Sequence, residues 1–511
     1  MSAVSRSSQV SSSIVFAPKT PRRAAPRDQE ARSAMGQAYR PGRAPTPGSL
    51  ATSVAGSTVS CVTTTSLSSL ASRVSGPVVL PADPSYDEAR RAWNLSVDQR
   101  PDAIVTPLDI DDIREVVVTA AALGLGVAVQ PNGHGSGDDL VGTILVRTSA
   151  FGELTIDGAR RRARVGAGVN WGPVLRALDG TGLIALAGSN PEVNVVGYTI
   201  NGGHSMFARS FGLAAHAVTA VEYVDAEGRF LRADDASDAD LLWAVRGGGG
   251  FFGVITAIEF DLFPAGELFG GKLVYPVVAA EAVVAAAFEL AASDLSLAID
   301  VGLMNFPDSP VVPEPLRGQT IASIDVLAHG QTSRAEEVVR RLHTVGPVVS
   351  DSTATFSIGS LPAIAGEPTD PMPTIDWSTT LASLDRSTAE PLVAAFRDAG
   401  PVLTRVGTRA LGGAVATADP DRGAIGALAA EGIIGAGIIA FDPAIAAEAP
   451  AVFAPLDAFA ASRRGDRTIP TFLNGGEPLS TAYDVATIDR LQQIRRRLDP
   501  GEIFRSNHPV R

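Results

Sequence analysis

The sequence predicts an α+β protein of two domains preceded by a tail, and three observations predict it. Residues 97 to 266 mix short strand-like runs with amphipathic helices and carry several glycine-rich turns. Beyond about Gly266 the composition shifts to long Ala/Val segments in which chemically active side chains are sparse and no charge cluster stands out. The 511 residues, 45% hydrophobic and 19% charged, exceed what one ordinary core organises.

Composition excludes several classes of function. The net charge of −13 repels phosphate backbones, so nucleic acid is not an expected partner. Cys61 is the single cysteine, which rules out an internal disulfide and a cysteine metal cage. The six histidines (134, 204, 216, 329, 343, 508) show no metal-ligand spacing, so no metal is expected. No apolar run approaches the roughly 20 residues of a membrane span, so no membrane partner is expected. The first 80 residues hold nine Lys/Arg and two Asp/Glu among many Ser, Ala, Pro and Thr. Residues 1–76 are therefore read as a disordered tail. Arg- and Ser-rich, acid-poor composition also fits a targeting segment; without one, the expected location is cytoplasmic.

Order is expected to begin between Pro77 and Tyr86, with helical spacing over Asp87 to Trp93. Ala103 to Val105 is a strand between prolines. Asp109 is an N-cap, and Ile113, Val116, Val117, Ala120 and Ala121 repeat on one helix face that Gly124 ends. Val127 to Val129 then leads into Gln130-Pro131-Asn132-Gly133-His134-Gly135-Ser136-Gly137. Glycines here allow positive φ and close approach of backbone to a ligand. Strands follow at Thr143 to Thr148, Glu153 to Asp157 and Arg162 to Val165, then a helix over Trp171 to Leu178. Val218 to Asp225 and Arg229 to Ala233 read as a hairpin. Asp238 caps a helix that Gly247-Gly248-Gly249-Gly250 breaks, and Val254 to Phe260 closes the unit. In the second domain, helices over Ala279 to Ala292 and Ala335 to Leu342 alternate with strands over Thr320 to Ala328 and Val402 to Gly407. The last helix spans Val485 to Leu498.

The glycine turn alone is a weak signal, since it lacks the G-x-G-x-x-G spacing of a dinucleotide fold. Seven motifs in order are a specific one. They are Pro101 to Pro107, Asn132-Gly133-His134-Gly135, Gly188-Ser189-Asn190-Pro191-Glu192-Val193, Gly202-Gly203-His204-Ser205, Phe211-Gly212-Leu213, Leu242-Trp243 through Gly253-Val254, and Leu498-Asp499-Pro500 with Phe504 and Asn507-His508-Pro509. Over roughly residues 80 to 511 the chain resembles the berberine bridge enzyme-like FAD-linked oxidases, within the group of vanillyl-alcohol oxidase and p-cresol methylhydroxylase (PCMH).

The resemblance implies a two-subdomain FAD-binding PCMH-type domain over 77–266 (core 97–266). It further implies a substrate cap with an antiparallel sheet and helices over 267–466, and a C-terminal segment, 467–511, completing the FAD site. His134 matches the histidine bonded to the flavin, and Gln130, Pro131, Asn132, Gly133, Gly135 and Ser136 would approach the cofactor around it. Gly188, Ser189, Asn190, Val193, Gly197, Tyr198, Gly203, His204, Gly253, Val254 and Asn507 complete the cofactor set. Asn190 replaces the cysteine that makes a second flavin bond in some members, so the implied link is single. Val193 stands at the family's oxygen gate, where valine leaves room for dioxygen. Tyr483 is the candidate base, and Arg409, on a cap strand, a candidate substrate contact. The expected function is oxidation of a small organic molecule (alcohol, sugar or secondary metabolite) by covalent FAD and then dioxygen. The alternatives are a dehydrogenase using another acceptor and a flavin-binding protein without catalysis. Substrate identity and oligomeric state stay open.

Overall fold

The computed structural model describes residues 66–310, 312, 314–473 and 476–508. Three sheets carry the fold. The first has five strands in the order Val78–Val79, Ala103–Val105, Thr143–Val146, Gly126–Val129, Phe504–Arg505. All its pairs are parallel except the edge pair Val78–Val79 with Ala103–Val105. The helix Ile110–Leu123 makes the crossover between the second and fourth of these strands. Asp109 caps it by accepting from the Asp112 N–H at 3.0 Å, and Gly124 ends it at φ +68. The second sheet is five antiparallel strands: Leu154–Asp157, Arg162–Gly166, Val254–Asp261, Val218–Val224, Phe230–Asp234. One apolar core runs beneath both sheets, from Leu70 through Trp171 and Phe252 to Phe504.

The third sheet has eight antiparallel strands, with Leu268–Pro276, Thr320–His329, Leu297–Asn305, Arg405–Ala410, Gly432–Ile439 and Thr374–Leu381 adjacent in that order. Side chains alternate across a strand. Leu297, Ile299, Val301 and Leu303 pack under the helices Ala280–Ser293 and Arg386–Asp398 in a second core. Ala298, from the same strand, belongs to the first core. The helices therefore cover one face of this sheet, and the other face turns to the first domain.

Three expectations need correction. Order begins before residue 77: Ser66 caps the short helix Leu67–Leu70, and Leu70 is fully buried. The Ser75 and Gly76 N–H groups donate to the Asp112 carboxylate at 2.6 and 2.9 Å, which ties this segment to the first long helix. Four residues carry too little apolar pattern to set this piece apart from the tail; residues 1–65 of that expected tail lie outside the described residues. The helix expected over Asp87 to Trp93 spans only Tyr86–Ala89. The chain then straightens because the Trp93 N–H donates to the Asn132 carbonyl at 2.8 Å. The strand expected from Val402 begins at Arg405.

Candidate active site

The strand Gly126–Val129 delivers the His134 turn, and sheet pairing sets what lies beside it. Phe504–Arg505 pairs with that strand, so Asn507 comes back over the turn and its amide donates to the Gly135 carbonyl. On the other side, Gln99 donates to the Gly137 carbonyl at 2.6 Å. Gln130 and Asn132 are braces rather than free contacts. Gln130 accepts from Arg147 at 2.7 Å, and Asn132 donates to Asn170 and to the Glu192 carbonyl at 3.1 and 2.6 Å. Gly133 needs its φ of +86 and its missing Cβ, which would lie 2.8 Å from the Ala92 methyl.

His134 itself stacks on Trp93 with ring centroids 4.3 Å apart. Burial lowers its pKa from 6.5 to about 4, so the imidazole is neutral at ordinary pH.

Tyr198, in the helix Val195–Ile200, stands between Gly188 and Gly203. A Cβ on either glycine would lie 3.0 or 2.5 Å from its ring, so the glycines make the slot. Burial raises the Tyr198 pKa and lowers that of His204 to about 3, with the charge of Arg409 acting on both. Val193 is half-buried, and its carbonyl accepts from the Trp171 N–H at 3.0 Å. Gly197 donates to the Asn194 cap, and Gly253 and Val254 are buried at the start of a strand against Tyr223 and Val224.

Four buried polar atoms of these loops have no hydrogen-bond partner among the described residues: His134 Nε2, Ser136 Oγ, Tyr198 Oη and His204 Nε2. Leaving such a group unpaired costs roughly 1–3 kcal/mol. Orphans of this kind mark where a polar ligand belongs. An isoalloxazine and its ribityl–pyrophosphate chain offer donors and acceptors along their length, so the residues present fit FAD.

The cap reaches the same place. The Asn190 amide donates to the Pro368 carbonyl at 2.8 Å, Ser189 Oγ donates to Glu367 at 2.6 Å, and Trp93 Nε1 donates to the Thr369 carbonyl at 3.3 Å. Arg409 lies 3.5 Å from Ser189 Oγ and 3.7 Å from the Glu367 carboxylate. Asn190 is thus a structural tie between the loop and the cap.

The structure holds Tyr483, the candidate base, inside the core rather than open to the cap. Its hydroxyl donates to the Gly247 carbonyl at 2.6 Å, it is 4% exposed, and burial raises its pKa. A Tyr at the start of the last helix satisfies the tetraglycine break.

The sequence reading also missed a charged row. Register sets Lys272 opposite Asp325, Asp325 opposite Asp300, and Asp300 opposite Arg409, all on the face turned to the first domain. The signal was there in Ile299-Asp300-Val301 and Ile324-Asp325-Val326, each a lone acid inside an apolar strand. Among the described residues, no group of His, Cys, Asp or Glu could hold a metal, and no helix is long and apolar enough to cross a membrane.

Comparison with known proteins agrees with this geometry. Residues 101–234 match the model of the FAD binding domain. The chain is 31% identical over 303 residues to (R)-6-hydroxynicotine oxidase of Paenarthrobacter nicotinovorans, a match covering 58% of this chain and 64% of that protein. Among solved structures, 6-hydroxy-D-nicotine oxidase from Arthrobacter nicotinovorans superposes with a TM-score of 0.72 at 24% identity, over 86% of this chain and 98% of that one. Berberine bridge enzyme from Eschscholzia californica gives 0.72 at 16%, over 87% and 98%. Residues 101–234 therefore match an FAD-binding domain, and the chain shares the fold of 6-hydroxy-D-nicotine oxidase and berberine bridge enzyme, while it spans about 64% of the length of the curated nicotine oxidase it matches.

Proposed function

We propose that the chain is an FAD-dependent oxidase of a small organic substrate, with the flavin bonded to His134. The observation that carries this is the half-buried imidazole of His134, whose Nε2 is buried and has no hydrogen-bond partner among the described residues, in a backbone-rich turn; burial, which lowers its pKa, supports it. Bound there, FAD supplies two-electron chemistry, taking hydride from substrate and yielding the electrons to dioxygen.

The chain's residues then divide the work. An unprotonated imidazole is the nucleophilic form needed for a bond to the flavin's 8α carbon, and Trp93 holds its plane. Cys61 is the single cysteine, and Asn190 occupies the second linkage position, so one covalent bond is expected. Backbone N–H groups of the Gly135-Ser136-Gly137 turn would hold the pyrophosphate. Tyr198 and His204 offer their unpaired polar atoms to the cofactor. Val193, held through its carbonyl, leaves space for dioxygen, which supports an oxidase over a dehydrogenase. The cap sheet closes the substrate space opposite, with Arg409 in reach of the cofactor loop.

The test is direct. Purified protein is denatured in acid and its yellow, fluorescent material followed by peptide mass. Flavin on the peptide holding His134, absent in His134→Ala, supports the tether; flavin released freely sinks it. Dioxygen consumption by the reduced enzyme separates oxidase from dehydrogenase.

A further inference from the structure

The inner face of the cap sheet is graded from core to solvent, and the gradation can be read from register. At its deep edge Ala298 and Leu327 join the core of the FAD-binding domain. Two residues further along each strand comes the charged row Lys272, Asp325, Asp300, Arg409. Two residues beyond that, Ser323, Gly302, Gly407, Gly435 and Ser378 stand opposite one another on five adjacent strands. At the outer rim Arg405 pairs with Asp376 at 2.9 Å, with both side chains about half exposed.

Three of those central positions have no side chain. A Cβ on Gly407 would meet nothing nearer than the Val301 carbonyl at 3.5 Å, and on Gly435 nothing nearer than the Trp377 carbonyl at 4.0 Å. The protein's own packing therefore does not require glycine at either place. Bare backbone over adjacent strands makes a shallow trough on the face that looks at the cofactor loops, beside the charged row.

Within that row the charges are not equivalent. Lys272 pairs with Asp325 at 2.9 Å. Arg409 pairs with the Glu367 carboxylate, at 3.7 Å. Asp300 is left between the two pairs; among the described residues it has no ion-pair partner within 4 Å. Its carboxylate accepts the Ala410 N–H, and the groups facing it are Asp325, Arg409 and, from the short helix Ala208–Phe211, Arg209. Arg209 spends two of its donors on the Leu297 and Ala291 carbonyls at 2.8 and 2.7 Å. Burial, with Asp325 adding, raises the Asp300 pKa to about 7. A base serves best when its pKa lies near the working pH.

We propose that Asp300 is the proton acceptor of the reaction, and that the substrate lies in the Gly302–Gly407–Gly435 trough with a hydroxyl or amino hydrogen on Asp300. This rests on the oxidoreductase reading above. The substrate's C–H bond breaks with both electrons leaving as hydride to the flavin. Its O–H or N–H bond breaks with the proton going to the Asp300 carboxylate. The electron pair left on oxygen or nitrogen closes the new double bond to carbon. Dioxygen takes the two electrons, and the Asp300 proton leaves with the peroxide. The substrate class is thus a carbon that carries both a hydrogen and an OH or NH, attached to a group flat enough to lie on bare strand backbone.

The first readout needs no substrate. Infrared spectra of the holoenzyme labelled with ¹³C-aspartate are recorded from pH 5 to pH 9. A carboxylic-acid band that titrates near neutral pH and is missing in Asp300→Asn is expected; a band that survives in Asp300→Asn overturns the proposal. The second is anaerobic bleaching of the flavin by benzyl alcohol, D-glucose and benzylamine. Asp300→Asn is expected to slow bleaching about 100- to 10,000-fold and to flatten its pH dependence, with partial rescue in Asp300→Glu. Unchanged bleaching in Asp300→Asn overturns the base. Gly407→Val is expected to keep the infrared band and the melting temperature while raising KM about tenfold or more; an unchanged KM removes the trough. Failure of every compound to bleach wild-type flavin counts against the oxidoreductase reading, and the infrared result stands apart from it.

Discussion

The imidazole of His134 lies on the indole of Trp93, 17° from parallel. Trp93 is fixed at both ends, by its N–H to the Asn132 carbonyl at 2.8 Å and its Nε1 to the Thr369 carbonyl at 3.3 Å. It therefore sets the plane of the residue proposed to carry the flavin. Such a stack contributes about 0.5–1.5 kcal/mol beyond its buried area. Trp93→Ala is expected to lower the fraction of flavin retained after acid denaturation, and Trp93→Phe to restore part of it. Full retention in Trp93→Ala would show that the stack does not orient the tether.

Tyr483 offers a control. Its hydroxyl satisfies the Gly247 carbonyl inside the core, so Tyr483→Phe leaves a buried acceptor unpaired. A loss of about 1–3 kcal/mol in unfolding free energy is expected, with flavin reduction per folded molecule unchanged. A collapse of the reduction rate at unchanged stability would return Tyr483 to the chemistry.

Val193 is half-buried beside the cofactor loops. Val193→Ile adds one methylene where dioxygen is expected to approach. Stopped-flow mixing of reduced enzyme with oxygen should show slower reoxidation, while anaerobic reduction by substrate keeps its rate. Equal slowing of both steps would point to a general distortion instead.

Asp300 predicts a pH signature in stability. Its folded-state pKa is raised from 3.8 to about 7, so between those values the folded chain holds a proton that the unfolded chain has released. That contribution is fully present below the unfolded pKa and is lost as pH rises through the folded one. His134 and His204 have the opposite sign, since their lowered pKa values cost stability as pH falls below 6.5. They cancel when wild type and Asp300→Asn are compared at one pH. The melting temperature of Asp300→Asn minus that of wild type should climb from pH 5 to pH 8. A flat difference would show that Asp300 titrates normally.

Much of the cofactor domain was legible in the chain order. The cap of Asp109, the stop at Gly124 and the helices Trp171–Leu178 and Val485–Leu498 follow from local periodicity and capping, which act within a turn or two. The His134 turn was visible because glycine and histidine in that spacing are local chemistry too. The helix Leu67–Leu70 was not, because four residues carry too little pattern; its place is set by Leu70 entering a core built mostly from residues far along the chain.

What the sequence alone determined is the FAD-binding domain, its turn and the residue types of the loops proposed to hold the cofactor, because those signals sit on contiguous segments. The tertiary structure decided the rest. Lys272, Asp300, Asp325 and Arg409 are separated by at least 25 residues, and each reads as an isolated charge in an apolar strand. Only the register of four antiparallel strands puts them in one row, and a slip of one residue in any strand would turn its charge to the helix-covered face. Pairing across a sheet is a non-local choice, fixed by which faces can be buried together.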